Sequence, residues 1–406
     1  MILHISQDDK FLDTIVKIFE SANKDQNNYV VWHQPNVKIP TILHHYFIKD
    51  NQFKSYFLKQ KHIISRPSLY STNITKNIKV NSFGSEQFFE QIGDLSKYTI
   101  VIFHSLVYNH AKLAVLIKAK YNIPVIWAPF GYEVYNMLPE FRKAILLPET
   151  KKFVSITKSG SDTLFDLITP FKARIIMRAI NKIKYCAIAI DTEFELYKKI
   201  LNPKLKQLWF SYYPLDYLIN ETVIPEEKSS ILIGNSAVPS NNHYEIFQLL
   251  SKLDLGVRKL ITPLSYGDHD YGLKINELGY ELFGDNFHPL LDFLSLDDYN
   301  KTVNSCGVVI MNQVRQQAFG NILSALWFGA KVFLRPQNTI YQYLKNLGIF
   351  VYSIDDISNE NSNIIQNLDV EKASSNKEIL RNYYSLNHIV TSTKKIIENL
   401  DFKKNN

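Results

Sequence analysis

At 406 residues the chain is longer than one ordinary hydrophobic core supports, and 46% apolar residues are enough to fill two. No run of about 18 apolar residues occurs, so no membrane-spanning helix is expected. The opening MILHISQDDK lacks the basic stretch and apolar core of a signal peptide. Cys186 and Cys306 sit in apolar runs, which fits buried thiols in a reducing cytoplasm and excludes a disulfide framework. The net charge of +7 is uneven: residues 1–225 hold 29 Lys/Arg against 19 Asp/Glu, and residues 226–406 hold 17 against 20. A basic first half points to an anionic partner, whether membrane surface, nucleic acid or charged substrate, beside the plainer reading of a solvated Lys-rich surface.

Ile2–Ser6 reads as a strand, and Phe11, Ile15, Ile18 and Phe19 then recur at helical spacing, as at the start of many doubly wound domains. The turn between them, Gln7 to Lys10, carries Asp8 and Asp9 but no glycine fingerprint, which argues against a dinucleotide-binding dehydrogenase. Tyr29–Trp32 is a second strand. Residues 43–66 interleave Phe and Tyr with Lys, His and Arg, a mixture that suits a membrane interface as well as an ordinary amphipathic helix. His44 and His45 are adjacent, point to different sides of any element, and have no third ligand, so they do not make a metal site. Tyr98–Phe103 is a buried strand ending at His104, and Pro124–Trp127 is another, followed by a loop with Glu133. Loops at the carboxyl ends of consecutive parallel strands converge on one crevice, so Asp9, His104 and Glu133 are the acid–base candidates. Tyr185–Ile190 is a further strand. The Pro-containing, charged stretch 213–230 is read as the boundary between two domains.

In the second half, strands are predicted at Ile231–Ile233, Lys259–Pro263, Tyr280–Phe283, Val308–Met311 and Val332–Leu334, alternating with helices. Ser295 reads as a helix N-cap and Gly329 as a C-cap glycine. Three loops follow strands on one edge. Gly234 to His243 is small and polar, a composition that lets backbone approach phosphate. Leu264 to Asp268 follows the second strand. Asn312 to Gln317 carries Arg315 and precedes a helix opened by Gly320 and Asn321, whose free amides favour an anion. This is a second doubly wound α/β domain. Tyr384–Leu400 is predicted to be a helix.

Two such domains resemble the GT-B glycosyltransferase architecture, two Rossmann-like domains facing across a cleft. The motifs Gly234-Asn235-Ser236 with Ser240, Asn241 and His243, Pro263 to Gly267, and Arg315-Gln316-Gln317 with Gly320 and Asn321 resemble glycosyltransferase family 56, the TDP-4-acetamido-4,6-dideoxygalactose (Fuc4NAc):lipid II transferases. Phe103-His104 and Trp127-x-x-x-Gly131-x-Glu133-x-Tyr135 are weaker matches in the first half. The resemblance implies an acceptor domain over 1–222, a nucleotide-sugar domain over 223–385, and a helix over 386–406 packing back on the first. It implies a TDP-sugar donor held by Gly234, Asn235, Ser236, Ser240, Asn241, His243, Pro263, Ser265, Tyr266, Gly267, Arg315, Gln316, Gln317, Gly320 and Asn321. It also implies a lipid-linked saccharide acceptor of enterobacterial common antigen or O-antigen type. The enzyme is expected at the cytoplasmic face of the bacterial inner membrane, bound peripherally to its anionic surface, with no nucleic-acid partner. No metal or other cofactor is expected: Asp268-x-Asp270 has a metal-site spacing without a metal-site context. Glu133 is the first choice of general base, then Asp9, then His104. Two other readings are a GT-B sugar-nucleotide epimerase, which would alter the donor without an acceptor, and a non-enzymatic protein that binds anionic surfaces.

Overall fold

The computed structural model describes residues 1–7, 11–32, 67–71, 78–79, 94–142, 144–155, 162–221, 227–357 and 365–401. The stretch 43–66 and Asp8, Asp9 and Lys10 lie outside these described residues. The chain forms two compact units.

The first unit holds Met1–Met137, Thr169–Tyr212 and Leu386–Asn406. Its strands are β1 (Ile2–Gln7), β2 (Asn27–Trp32), β3 (Pro67–Ser71), β4 (Ile78–Lys79), β5 (Ile100–His104), β6 (Val125–Ala128), β7 (Tyr185–Ala187) and β8 (Lys206–Leu208). They form one sheet in the order β4-β3-β2-β1-β5-β6-β7-β8. The six from β2 to β8 are parallel, with Ile5 level with Val30 and Phe103, and Phe103 with Trp127. β3 and β4 run antiparallel on the β2 edge. Every residue of β5 and β6 is buried, as expected of parallel strands covered on both faces. The apolar stripe of α1 (Leu12–Ala22), with Leu12, Ile15, Val16 and Phe19 buried, packs against the terminal helix Leu386–Asp401.

The second unit holds Leu138–Ile168 and Tyr213–Ser385. β9 (Ser230–Ile233), β10 (Leu260–Pro263), β11 (Phe287–Leu290), β12 (Cys306–Met311), β13 (Lys331–Leu334) and β14 (Tyr352–Ser353) form a parallel sheet in the order β11-β10-β9-β12-β13-β14. Ile231, Ile233, Val308, Ile310 and Phe333 are at its buried centre. Both cysteines are free and buried.

Two expectations are corrected. Tyr280–Phe283 is not a strand but the end of a helix, His269–Phe283, launched when the Asp268 carboxylate accepts from Tyr271 N at 3.0 Å. A four-residue stretch whose apolar members are Tyr280, Leu282 and Phe283 does not distinguish the two. The strand lies just beyond, and the Phe287 ring presses on Gly279 where a Cβ would clash at 2.3 Å. The division between units also falls at 212/213, not 222/223, and residues 138–168 belong to the second unit. There the Asn242 carboxamide accepts from Leu147 N at 2.8 Å, and Glu245 accepts from Thr150 N at 2.7 Å, bonds across about a hundred residues that no local pattern announces.

Candidate functional site

The second sheet reverses its winding between β9 and β12: the chain steps outward from β9 to β10 and β11, and the other way from β12 to β13 and β14. Loops leaving two such neighbours diverge, which opens a crevice at their carboxyl ends. The polar loops predicted from sequence are the ones that meet there.

The Asn235 and Asn241 side chains tie them together. Asn241 Oδ1 accepts from Asn235 N at 3.1 Å and from Gln313 Nε2 at 2.7 Å. Asn241 Nδ2 donates to the Ser236 carbonyl at 2.9 Å, which fixes the turn after β9. Asn235 Oδ1 accepts from Gln313 Nε2 at 3.2 Å and Gln317 Nε2 at 3.1 Å, while Asn235 Nδ2 donates to the Tyr266 hydroxyl at 2.9 Å. Ser240 Oγ donates to Gln317 Oε1 at 2.7 Å. The loop after β10, between Pro263 and α-helical His269, joins by a bridge from Gly267 to Ala237. Gly267 sits at φ +124°, and a Cβ there would lie 2.6 Å from the Ala237 carbonyl carbon, so only glycine fits. Gly234, at φ +67°, lies over the His243 ring, where a Cβ would come within 2.6 Å of Nε2. Burial holds His243 neutral, its pKa lowered to about 3, and Tyr271 OH lies 3.1 Å from its Nδ1.

Arg315, Gln316, Gln317 and Ser265 are half-buried at the crevice, and Tyr266 is 48% exposed. The helix after β12, Phe319–Trp327, starts from Ala318 in the left-handed conformation (φ 59°) with no side-chain cap. Its first-turn amides therefore supply the anion-friendly edge. Gly320 and Asn321 are in that turn, one residue further in than predicted. The Tyr213 ring packs where a Gly320 Cβ would be, at 3.0 Å, and Asn321 Nδ2 donates to Tyr299 OH at 2.9 Å. Neither 234–242 nor 312–321 contains a carboxylate. The loop after β10 ends in Asp268, whose carboxylate caps the helix His269–Phe283, so the other two loops supply neutral amides plus a guanidinium, an arrangement that receives negative charge.

Sequence reasoning missed the residues that support this wall. Buried Gln313 links the β9 and β12 loops. Asn338 caps the helix Thr339–Asn346 through Ile340 N and also donates to the Gln313 and Arg315 carbonyls at 3.0 and 2.8 Å. Arg335, directly after β13, donates through Nε to Asn312 Oδ1 at 2.9 Å. Position after a strand end was the available signal for Arg335, and the Asn-Thr helix start for Asn338.

In the first unit, Glu133 lies in a single helical turn, Tyr132–Tyr135, entered through Gly131 at φ 89°. It is fully buried. Its Oε1 accepts from Trp127 Nε1 at 3.0 Å, Leu106 N at 3.2 Å and Phe130 N at 3.3 Å, so it fastens the loops after β5 and β6. Burial raises its pKa, against those donors. His104 is fully buried, its Nε2 3.1 Å from His4 Nδ1 and its Nδ1 3.0 Å from Tyr212 OH. Burial, then His4 and His110, keep it well below the usual histidine range. Asp9 lies outside the described residues. Among the described residues, no three His, Cys, Asp or Glu side chains converge as metal ligands, and no helix is long and apolar enough to cross a membrane.

A family model described as 4-alpha-L-fucosyltransferase, glycosyl transferase group 56, matches residues 171–390, a span that contains all three loops and Arg315. Among solved structures, sucrose-phosphate synthase from Thermosynechococcus elongatus is similar at TM-score 0.62 and 8% identity, over 98% of each chain. HepE from Anabaena, solved with UDP and glucose, is similar at 0.60 and 11%, again over 98% of each chain. A glycosyltransferase from Rickettsia africae gives 0.61 and 13%, also over 98% of both. At such identities these likenesses establish the fold alone, and it is that of the GT-B glycosyltransferases.

Proposed function

The chain belongs to glycosyl transferase group 56, and from that premise we propose that this glycosyltransferase moves a 4-acetamido-4,6-dideoxyhexose from a TDP-sugar to a lipid-linked saccharide in surface-polysaccharide synthesis. One observation carries the donor half of this reading: three loops at the switch point of the second unit, tied together by Asn235, Asn241 and Gln313, present Arg315 and an uncapped helix start, and the two loops after β9 and β12 hold no carboxylate over 234–242 and 312–321. HepE, of the same fold, was solved with UDP-glucose, which supports a nucleotide sugar as the ligand class.

The donor diphosphate would rest on the first-turn amides of Phe319–Trp327. Arg315 would offset the charge that builds on the leaving nucleoside diphosphate as its bond to the anomeric carbon breaks, the role a preorganised cation plays in charge stabilisation. With arginine in that place, the reaction is proposed to run without a metal. The Tyr266 ring and Asn235 amide are proposed to face the nucleoside. The acceptor would bind the first unit, where a carboxylate takes the hydroxyl proton as oxygen bonds to the anomeric carbon. Glu133 and His104 are fully buried, with Glu133 Oε1 accepting from three donors and both His104 nitrogens partnered, so of the three candidates we assign this role to Asp9, two residues after β1 in sequence. Anchoring of the acceptor in lipid places the enzyme at the cytoplasmic membrane surface.

A thermal-shift comparison of TDP, UDP and GDP, followed by transfer to a lipid-linked acceptor, tests the reading. TDP should stabilise most, through ligand linkage, and radiolabelled sugar should move to the lipid fraction. Conversion of the donor to an isomeric nucleotide sugar in the absence of acceptor would overturn it in favour of an epimerase. Retention of full transfer by Asp9→Asn would remove Asp9 as the base.

A further inference from the structure

Two helices of the first unit carry cations that the donor site does not use. α2 (Tyr108–Lys120) holds Lys112, Lys118 and Lys120, and the part of α4 (Asp162–Lys182, with α3 being Pro148–Ser155) in this unit holds Lys172, Arg174, Arg178 and Lys182. Neither 108–120 nor 169–182 contains a single Asp or Glu. The helices approach one another. The Tyr108 and Phe171 rings are 6.1 Å apart near one end, and Lys118, its ammonium disfavoured by burial and then by Lys182, marks their approach near the other. On α4 the buried residues Ala173, Ile176, Ala179 and Ile180 take the inner face. Phe171, Arg174, Arg178 and Lys182, spaced three, four and four, form an exposed outer stripe, with Phe171 57% exposed. On α2, Tyr108 and Lys112 are one turn apart, and Lys112 Nζ sits 4.5 Å from the Tyr108 ring centroid.

We propose that the paired outer stripes of α2 and α4 are a docking surface for an anionic phospholipid bilayer. Charge complementarity selects the occupant: seven cations without one carboxylate on the two stretches would attract any polyanion, but an exposed phenylalanine beside a tyrosine adds the ring chemistry of a headgroup interface. Each cation near such a surface contributes about a fivefold gain in partitioning. The proposal rests on the reading of a lipid-linked acceptor, since that acceptor is what gives the enzyme a reason to sit on a bilayer. It does not draw on the basic, aromatic stretch 43–66 singled out in the sequence, which lies outside the described residues.

The test is flotation of the full chain with vesicles of phosphatidylcholine alone and of phosphatidylcholine mixed equally with phosphatidylglycerol. The wild type should float with the anionic vesicles only. Arg174→Gln with Arg178→Gln should lower partitioning about 25-fold, and Phe171→Ser should lower it further, with melting temperature and transfer to acceptor in detergent micelles unchanged. Flotation of the Gln variants at the wild-type level, equal binding to both vesicles, or preference for a DNA duplex over anionic vesicles would overturn the proposal while leaving the transferase reading to its own micellar assay. Loss of micellar transfer with normal flotation would instead count against that reading.

Discussion

Each unit has a place where its sheet reverses winding, between β1 and β5 in the first and between β9 and β12 in the second, and the two are chemically opposite. At the first, the polar groups turn inward. His4 and His104 are fully buried in the strands themselves, and with Asn27 and Tyr212 they satisfy one another. At the second, amides are satisfied across the loops, but Arg315, Gln317 and Tyr266 remain partly open. A buried, closed network specifies a sheet; an amide frame with a part-exposed cation and an uncapped helix start specifies a ligand. The difference teaches that switch-point position alone does not identify a catalytic group, and it can be challenged by substitution at each place.

The largest effect is expected at Arg315. Arg315→Ala should lower kcat by about two to three orders of magnitude, the range for removing one charge-stabilising group, with the fold intact by circular dichroism. Steady-state kinetics within a few-fold of wild type would remove it from the reaction. Arg315→Lys should recover only part, because an ammonium does not reproduce a planar guanidinium.

Next is Gly234→Ala. A methyl group must adopt φ +67° and meet His243 Nε2 at 2.6 Å, so the second unit should lose about 2–4 kcal/mol. Urea unfolding followed by hydrogen exchange would place that loss in the second unit and not the first. Adding His243→Ala should return the steric part and leave the backbone part. If the double variant is no more stable than the sum of the singles, the close approach is not what demands glycine.

How much of this was legible in the sequence divides along the same line. Apolar runs marked β5, β6, β9, β12 and β13, and the spacing of Phe11, Ile15, Ile18 and Phe19 marked α1, because burial writes periodicity directly. Gly234, Asn235, Asn241 and Arg315 were legible as loop chemistry after strands. Gln313, Asn338 and the place of residues 138–168 were not, since the partners that place them lie 23 to nearly 100 residues away and leave no local trace. The burial of Glu133 was hidden for another reason: a charged residue in a loop after a glycine reads as exposed, yet Trp127, Leu106 and Phe130 supply the donors that keep it inside.

A moderate effect is expected at His4. Burial lowers its pKa to about 3, opposed by the Asn27 bond, so in the folded state it is neutral where the unfolded chain takes up a proton. With the folded value below the unfolded value near 6.5, its stability contribution is complete above about pH 6.5 and falls as pH drops toward 3, by about 1.4 kcal/mol per pH unit. His4→Gln should cost about 1–3 kcal/mol at pH 7.5 by leaving the His104 and Asn27 partners imperfectly paired. It should also flatten the acid limb of the first unit by that one proton. Denaturant midpoints taken between pH 7.5 and 4.5 read the slope directly. An unchanged slope would mean His4 is not the closed, neutral group described.

The smallest effect is expected where the sequence placed the first-choice base. If Glu133 is a fastener for the loops after β5 and β6, the group that matters is an oxygen accepting from Trp127 Nε1, Leu106 N and Phe130 N, and a glutamine carbonyl offers the same acceptor in the same place. Glu133→Gln should then keep kcat within a few-fold, leave the pH profile of kcat unmoved, and change stability by less than about 1 kcal/mol. Glu133→Ala, which leaves three buried donors unpaired, should cost about 3 kcal/mol or more and raise the acceptor KM more than it lowers kcat. A base behaves the other way: Gln and Ala would be equally inactive, and the acidic limb of the pH profile would vanish in both. That pattern would return Glu133 to the chemistry and make the first switch point as functional as the second.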